Sequence, residues 1–381
     1  MTSITDSPAA PAAARTAADL RVGILGAGFM ARVHAAAVRR AGAKLVTVTA
    51  SSPERSRAAA LELGAEHAST DAEAVIGSED VDVVHVCVPN HLHEPLVTAA
   101  LAAGKHVVCE KPLATGADAA RRMRDLAAAR GLVGTVAFVY RYNPAVFEAR
   151  ARIAAGSLGR VNLIHGGYLQ DWLAEPDDTD WRLNPALGGS ARVFGDIGTH
   201  WCDLAEFVTG ERITRVLARG DVTVERAADD HDATHDQLAV IFQTRGGATG
   251  VAALSQAAPG HKNDLRLEVS GSRATTRFEL DMPGSLWWAT RGADRRLWPR
   301  ADRDARGPGR IVTVPAGHPQ GFQDALDLLV ADTYAQITAL ESAGGAPPDG
   351  LPTFEDGARA VMVMDAVTAS AASGTWVEVE A

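Results

Sequence analysis

The chain has 381 residues, 46% apolar and 22% charged, the profile of a globular protein with core enough for two domains. A formal charge of −10 with no run of Lys or Arg argues against a nucleic-acid or anionic-membrane partner. Three scattered cysteines (Cys87, Cys109, Cys202) suit neither a disulfide framework nor a zinc site, and fit reduced core residues of a cytoplasmic protein. No run of 18 uncharged apolar residues occurs, so no membrane-spanning helix is expected.

Residues 1–19, rich in Ala, Pro, Ser and Thr, lack a basic region followed by an apolar run and read as a disordered tail. The apolar β-type run Arg21 to Leu25 then breaks into Gly26-Ala27-Gly28 and continues as an Ala-rich helix from about Phe29 to Arg40. That order is what a dinucleotide-binding βα turn requires. Gly26 permits the tight turn, and Gly28 lets a pyrophosphate approach the backbone N–H groups at the helix start. Ala31, where a third Gly usually stands, is still small enough for close helix–strand packing. Phe29 and Met30, which open the helix, join the two glycines as expected cofactor contacts. The same pattern also fits a tight turn that binds nothing.

Lys44 to Ala50 reads as the second strand, and Pro53 opens the next helix. The strand tip, Thr49-Ala50-Ser51-Ser52, has no carboxylate where an Asp or Glu would take the ribose 2′-hydroxyl of NAD. Ser51, Ser52 and the nearby Arg55 can serve either a hydroxyl or a 2′-phosphate. NAD, slightly preferred, and NADP both stay open. Val81 to Val88 is nearly continuously apolar, as in a central parallel strand covered on both faces. It leads into Pro89-Asn90-His91-Leu92-His93, so Val88, Pro89, Asn90 and His93 fall at the carboxyl edge of the sheet, where ligands sit. After a helix over about 92–103, the strand His106 to Cys109 runs into Glu110-Lys111-Pro112, aiming a Lys over the same edge. A helix (about 116–130) and a strand (Leu132 to Val139) complete a Rossmann-type doubly wound parallel sheet, assigned to residues 20–142.

Residues 143–381 change to strand-like alternation separated by Gly turns, the pattern of an α+β domain with a large, mostly antiparallel sheet. Strands are expected at 161–169, 215–224, 237–243, 248–256, 265–270 and 275–280. Helices are expected near 195–209, 321–342 and 355–373, with exposed loops at 299–310 and 343–352. In Phe194-Gly195-Asp196-Ile197-Gly198-Thr199-His200, the four-residue spacing puts Asp196 and His200 on one helix face. With a strand-end Lys in a nucleotide-binding domain, this pair fits oxidation of a secondary alcohol. His serves as base, Lys stabilises charge on the oxygen, and Asp fixes their orientation.

These residues resemble the Gfo/Idh/MocA oxidoreductases. The resemblance runs from about residue 21 through GILGAGFMARVHAAA, VPNHLH, CEKPLA, GDIGTHWCDLAEF, LEVSGSRATTRFEL and EDGARAVMVMDAV. It implies Lys111 as the catalytic Lys, His200 as the general base and Asp196 as the acid between them. It further implies Pro89, Asn90, His93, Glu110 and Lys111 beside the nicotinamide and its ribose, Arg141 and Tyr142 in the cleft, and Trp181-Arg182 closing over it. The second-domain sheet would make a homodimer, or a homotetramer. Tyr168, Gln170, Asp171 and Trp172 combine flat rings and short polar groups as a sugar or polyol site would, and His318 opens a long helix within reach. Three readings follow. One is an NAD(P)-dependent dehydrogenase of a sugar, sugar derivative or inositol. The second is a glycoside hydrolase that retains its cofactor and cleaves by transient oxidation, and the third is a non-catalytic nucleotide sensor.

Overall fold

Strand β1 (Arg21–Leu25) is buried at four of its five positions and hands the chain through Gly26 to α1 (Phe29–Arg40). Gly26 has φ 112°, and a Cβ there would lie 2.2 Å from the Cys87 carbonyl oxygen, so only glycine fits this turn. In the computed structural model, which describes residues 15–226, 234–299, 308–315, 318–342 and 345–380, this unit is followed by β2 (Lys44–Thr49), α2 (Pro53–Leu63), β3 (His67–Ser69) and α3 (Ala72–Gly77). Next come β4 (Val83–Val86), α4 (His93–Ala102), β5 (His106–Cys109), α5 (Ala117–Arg130) and β6 (Gly134–Val136). The six parallel strands lie in the order β3-β2-β1-β4-β5-β6, so the strand order reverses between β1 and β4. A crevice outside the carboxyl ends of the strands is the expected ligand position in such a sheet.

The second sheet has nine strands, in the order β14-β13-β12-β11-β7-β10-β9-β8-β15. They are β7 (Val161–Leu169), β8 (Ile213–Asp221), β9 (Gln237–Thr244), β10 (Thr249–Ser255), β11 (Asp264–Gly271), β12 (Ala274–Glu279), β13 (Leu286–Thr290), β14 (Ala293–Leu297) and β15 (Val377–Glu378). All neighbours are antiparallel except β7 and β10, which run parallel in the centre. Helices α6 (Pro144–Ala154), α8 (Thr199–Thr209) and α10 (Phe354–Ser373) pack on one face of this sheet, and α7 (Pro185–Gly188) sits in the connection ahead of α8. The strand pattern on that face is alternately buried, as the alternation of apolar residues implies.

Helix α9 (Phe322–Ser342) follows β14 in sequence but packs on α1 and on β5 of the first sheet. Its Gln323 Nε2 donates to the Val33 carbonyl at 3.1 Å, and Thr333 meets Thr135 of β6 at 3.2 Å. Buried ion pairs tie α8 to the segments around it. Arg141 holds both Asp203 and Asp356, and Arg359 of α10 holds Glu206 at 2.9 Å. Breaking one partner of such a buried pair costs about 3–5 kcal/mol.

Two expectations change. Residues 15–19 are ordered rather than tail: Thr16 N–H bonds the Asp19 carboxylate at 2.9 Å, and Arg15 pairs with Asp82 at 2.6 Å. The sixth strand is only three residues long, because 139–142 wind into a short 3-10 turn. Short elements such as β3 and α3, and the strands β13, β14 and β15 at the two ends of the second sheet, had no separate reading in the sequence. Residues 1–14 and most of the 299–310 loop lie outside the described residues.

Candidate active site

A cavity of about 770 Å³ lies along the carboxyl ends of the parallel strands. Gly26, Gly28, Phe29 and Met30 line it from the first turn, and Ser51 and Arg55 from the second strand's tip. Val88, Pro89 and Asn90 line it after β4, Glu110 and Lys111 after β5, and Trp181 and Arg182 cover it from the second domain. Gly28 is the residue before α1, and a Cβ on it would meet nothing within 4 Å. The backbone there faces open space beside the free N–H groups of a twelve-residue helix, which fits the pyrophosphate of a dinucleotide. At the other end Arg55 Nη1 donates to Ser51 Oγ at 3.1 Å, so a cation and a hydroxyl stand where a carboxylate often does. Trp181 stacks under the Arg182 guanidinium, 4.3 Å from ring centre to Cζ.

The second cavity, about 650 Å³, shares Phe29, Met30, Glu110, Lys111 and Arg182 with the first, so the two meet at these residues. Asp196 stands at this junction. The Lys111 ammonium donates to its Oδ1 at 2.7 Å and to its backbone oxygen at 2.7 Å; Arg182 Nε donates to Oδ1 at 3.0 Å and Gln256 Nε2 to Oδ2 at 2.7 Å. Burial would raise the Asp196 carboxyl, but the Lys111 and Arg182 charges outweigh it and hold the group well below the usual carboxylate range. Asp196 is therefore a fixed anion that aims Lys111.

His200 is 7% exposed, and its Nδ1 has no partner among the described residues. Burial, then the nearby Lys111 charge, push its imidazole well below the ordinary histidine value. A neutral imidazole lining the second cavity can accept a proton there through a nitrogen that the cavity reaches. The ring leans on Tyr140 with centres 4.8 Å apart.

The local chain explains how Asp196 and His200 converge. Residues 194–198 form a wide turn, with Thr199 N–H bonded to the Phe194 carbonyl, before α8 begins. A Cβ on Gly198 would lie 2.6 Å from the Phe194 ring, so the wide turn needs a glycine there. The four-residue spacing thus works through a widened turn rather than a regular helix face, and such turns recur at functional sites.

Tyr168 and Gln170 line the second cavity as expected, with Trp172 beside them. Tyr168 Oη meets Tyr140 Oη at 2.7 Å and Asn263 Oδ1 at 2.5 Å, while Gln170 Nε2 donates to Asn263 at 2.9 Å and its Oε1 accepts from Trp172 Nε1 at 2.8 Å. Other expected residues are turned elsewhere. Arg141 is locked between Asp203 and Asp356 and lines neither cavity. Tyr142 donates to Asp332 at 2.7 Å in the core. Asp171 accepts from Gly260 N and Lys262 at the surface, and exposed His318 faces the Pro315 carbonyl. Ser52 caps α2 through Arg55 N–H, and buried His93 bridges the Pro112 and Val88 carbonyls, supporting the cavity wall from behind. Each of these side chains has a stronger partner than solvent in the cleft, which spacing alone does not reveal.

Sequence reading missed Tyr140, Gln256 and Phe322 as site residues, and weighed Asn263 only within His261-Lys262-Asn263, as an anion-binding turn set against a plain exposed one. In Tyr140-Arg141-Tyr142 the short 3-10 turn sends Tyr140 to the cavity and its neighbours away. Asn263 lies in a loop that reads as an ordinary exposed turn, and it reaches the cavity only because β11 pairs with β7.

A Rossmann crevice joined through Lys111 to a second cavity lined by Asp196 and His200 fits a nucleotide-dependent oxidoreductase. Residues 20–138 match the family model described as "Oxidoreductase family, NAD-binding Rossmann fold", and 146–277 match the GFO/IDH/MocA C-terminal domain. The chain is 31% identical to a levoglucosan dehydrogenase of Pseudarthrobacter phenanthrenivorans over 95% of its length and 98% of the relative's. It is 29% identical to an inositol 2-dehydrogenase of Rhizobium meliloti over 93% and 97%. Among solved structures, levoglucosan dehydrogenase in complex with NADH and levoglucosan superposes with a TM-score of 0.87 at 29% identity, covering 95% of this chain and 100% of that one. The chain belongs to the Gfo/Idh/MocA oxidoreductase family.

Proposed function

We propose that this enzyme is an NAD-dependent dehydrogenase that oxidises a ring hydroxyl of a sugar, sugar derivative or inositol. The observation that carries the reading is the His200 imidazole lining the same cavity as a Lys111 ammonium fixed by Asp196. A nicotinamide bound in the first cavity supplies the hydride acceptor. The Lys111 ammonium hydrogen-bonds the substrate oxygen and stabilises charge as it develops, and His200 takes the hydroxyl proton. Tyr140, Tyr168, Gln170 and Asn263 offer a linked set of hydroxyl and amide groups to the remaining hydroxyls, and Trp172 and Phe322 offer flat faces. Relatives named levoglucosan and inositol dehydrogenases support the same substrate class.

The test is a panel of free sugars, anhydrosugars, inositols and glycosides, followed by NADH absorbance and by sugar release together. NADH formation with free sugars, anhydrosugars or inositols supports the dehydrogenase. Sugar release from glycosides without net NADH would replace it with the redox-neutral glycoside hydrolase.

For the cofactor, Ser51→Asp places a carboxylate against the 2′ position. Its NADP affinity is expected to fall about tenfold or more, with NAD affinity held or improved. Titration of both nucleotides by fluorescence checks this, and an unchanged NADP affinity would place the 2′ group elsewhere.

The chain also assembles, in this reading, as a homodimer or homotetramer through the open face of the nine-stranded sheet. Val251 is paired in register with Ile241, and both are exposed, with Leu163 on the next strand. Val251→Glu would put a charge into this apolar face, which association would have to bury. Light scattering is expected to show monomer for the variant and a larger species for the wild type.

A further inference from the structure

Tyr140 and Tyr168, 5% and 2% exposed, line the second cavity, and their hydroxyl oxygens lie 2.7 Å apart. Asn263 closes a triangle on them: Tyr168 Oη donates to its Oδ1 at 2.5 Å, and its Nδ2 donates to Tyr140 Oη at 3.3 Å. Three separate segments make the triangle. Tyr140 comes from the short 3-10 turn, Tyr168 from β7, and Asn263 from the residue before β11, whose antiparallel register with β7 sets it beside Gln170. Two side chains extend the set outward. Gln170 Nε2 donates to Asn263 Oδ1 at 2.9 Å, and Trp172 Nε1 donates to Gln170 Oε1 at 2.8 Å.

Trp172 fixes the direction of every bond in this set. An indole nitrogen only donates, so Gln170 has to present its oxygen to Trp172 and its amide N–H to Asn263. Asn263 then presents Oδ1 to Gln170 and to Tyr168. An amide oxygen only accepts, so the Tyr168 proton goes to Asn263 and the Tyr140 proton to Tyr168. Turning the Asn263 amide round would reverse the circulation, yet each phenol proton would still be spent inside the triangle. Burial pushes both phenols above their ordinary value, so both keep those protons. What the two buried oxygens have left is lone pairs. The charged groups of the cavity wall balance as well, Lys111 and Arg182 standing against Glu110 and Asp196. Lys262, next to Asn263, is paired with Asp171 at 2.7 Å.

We infer that Tyr140 and Tyr168 form an acceptor-only wall, which selects neutral polyhydroxy substrates by the protons of their hydroxyl groups and turns away groups that only accept, such as carboxylate or fluorine. The inference deepens the dehydrogenase reading and rests on it for the reaction, while the wall itself is tested without substrate. A substrate hydroxyl that donates to a phenol oxygen replaces water as the donor there. A group with lone pairs alone puts acceptor against acceptor, and both sides lose the bonds that water gave them. A carboxylate fares worse, because the Lys111 and Arg182 cations already share Asp196. Asn263 is exposed and Gln170 half-buried, so solvent serves their spare N–H groups and the discrimination falls to the two phenol oxygens.

Neutron diffraction from the deuterated protein, without substrate, reads the wall directly. The Tyr168 deuteron is expected on the line to Asn263 Oδ1 and the Tyr140 deuteron on the line to Tyr168 Oη. Either deuteron pointing into the cavity overturns the inference. Kinetics read the consequence. With a substrate from the panel, each hydroxyl that does not react is replaced in turn by fluorine and by hydrogen. At one position at least, both analogues are expected to lose about tenfold or more in kcat/KM and to agree within about threefold. Any other pattern overturns the inference, as does a uronic acid oxidised as fast as its parent sugar. In Tyr168→Phe the Tyr140 proton loses its acceptor and is free for the cavity, so the fluorine penalty is expected to shrink to about threefold or less. An unchanged penalty in a folded variant overturns it. Should that variant not fold, the neutron map and the wild-type kinetics decide. If no panel member is oxidised, the dehydrogenase reading falls, and the neutron map still tests the wall.

Discussion

Replacing Lys111 by alanine is expected to lower kcat by at least about a hundredfold while nucleotide affinity stays within about threefold. The Lys111 ammonium reaches across from the Rossmann unit to the Asp196 carboxylate and backbone oxygen, each at 2.7 Å, at the meeting point of the two cavities. In the proposed reaction it would hydrogen-bond a substrate oxygen whose charge grows only as the reaction proceeds, so its loss should fall on kcat more than on binding. The fold survives the change for a specific reason. Asp196 keeps Arg182 and Gln256 as partners, so no buried carboxylate is left uncompensated. Steady-state kinetics with a substrate from the panel, beside nucleotide titration and a melting curve, separates these effects. Wild-type turnover in the variant would remove Lys111 from the mechanism.

His200→Ala is expected to cost a similar factor of at least about a hundred in kcat, and to change the shape of the pH profile as well. Burial and the Lys111 charge both disfavour the imidazolium, so the folded His200 loses its proton at a pH below the ordinary histidine value. A base has to be unprotonated to act. Activity should therefore be full near pH 6.5 and fall only as the pH drops through the lowered value. In the alanine variant the residual rate should lose that acid limb. The profile of kcat/KM against pH for both proteins checks it. An acid limb at or above pH 6.5 in the wild type, or an unaltered limb in the variant, would mean that another group is the base.

Legibility of the site in the sequence follows the range of the forces involved. The βα turn at Gly26 and Gly28, the strand ends carrying Pro89-Asn90 and Glu110-Lys111, and the Asp196/His200 pair are short-range features. Each is set by a turn, a strand end or a four-residue spacing, and each lines the expected cavity. Arg141, Tyr142, Asp171 and His318 carry equally suggestive chemistry but point elsewhere. The directions of Arg141, Tyr142 and Asp171 are decided by Asp203, Asp332 and Lys262, distant partners that local pattern cannot locate, while exposed His318 turns to the carbonyl of Pro315, three residues before it. The meeting of Tyr140 with Asn263 was hidden for the converse reason: 123 positions apart, they come within 3.3 Å only because the second sheet folds back under the 3-10 turn.

The sequence by itself determined the class: a Rossmann half read from glycines and apolar runs, a sheet-rich half read from alternation, and a Lys, an Asp and a His of the right chemistry. These follow from backbone sterics and the period of burial, which act over a few residues. Only the tertiary structure decided which polar side chains face the cleft, that α9 returns to cover the first sheet, and that Tyr140, Tyr168 and Asn263 meet from three separate segments. Those outcomes depend on where each buried polar group finds a partner, and such partners are chosen among residues far apart in the chain.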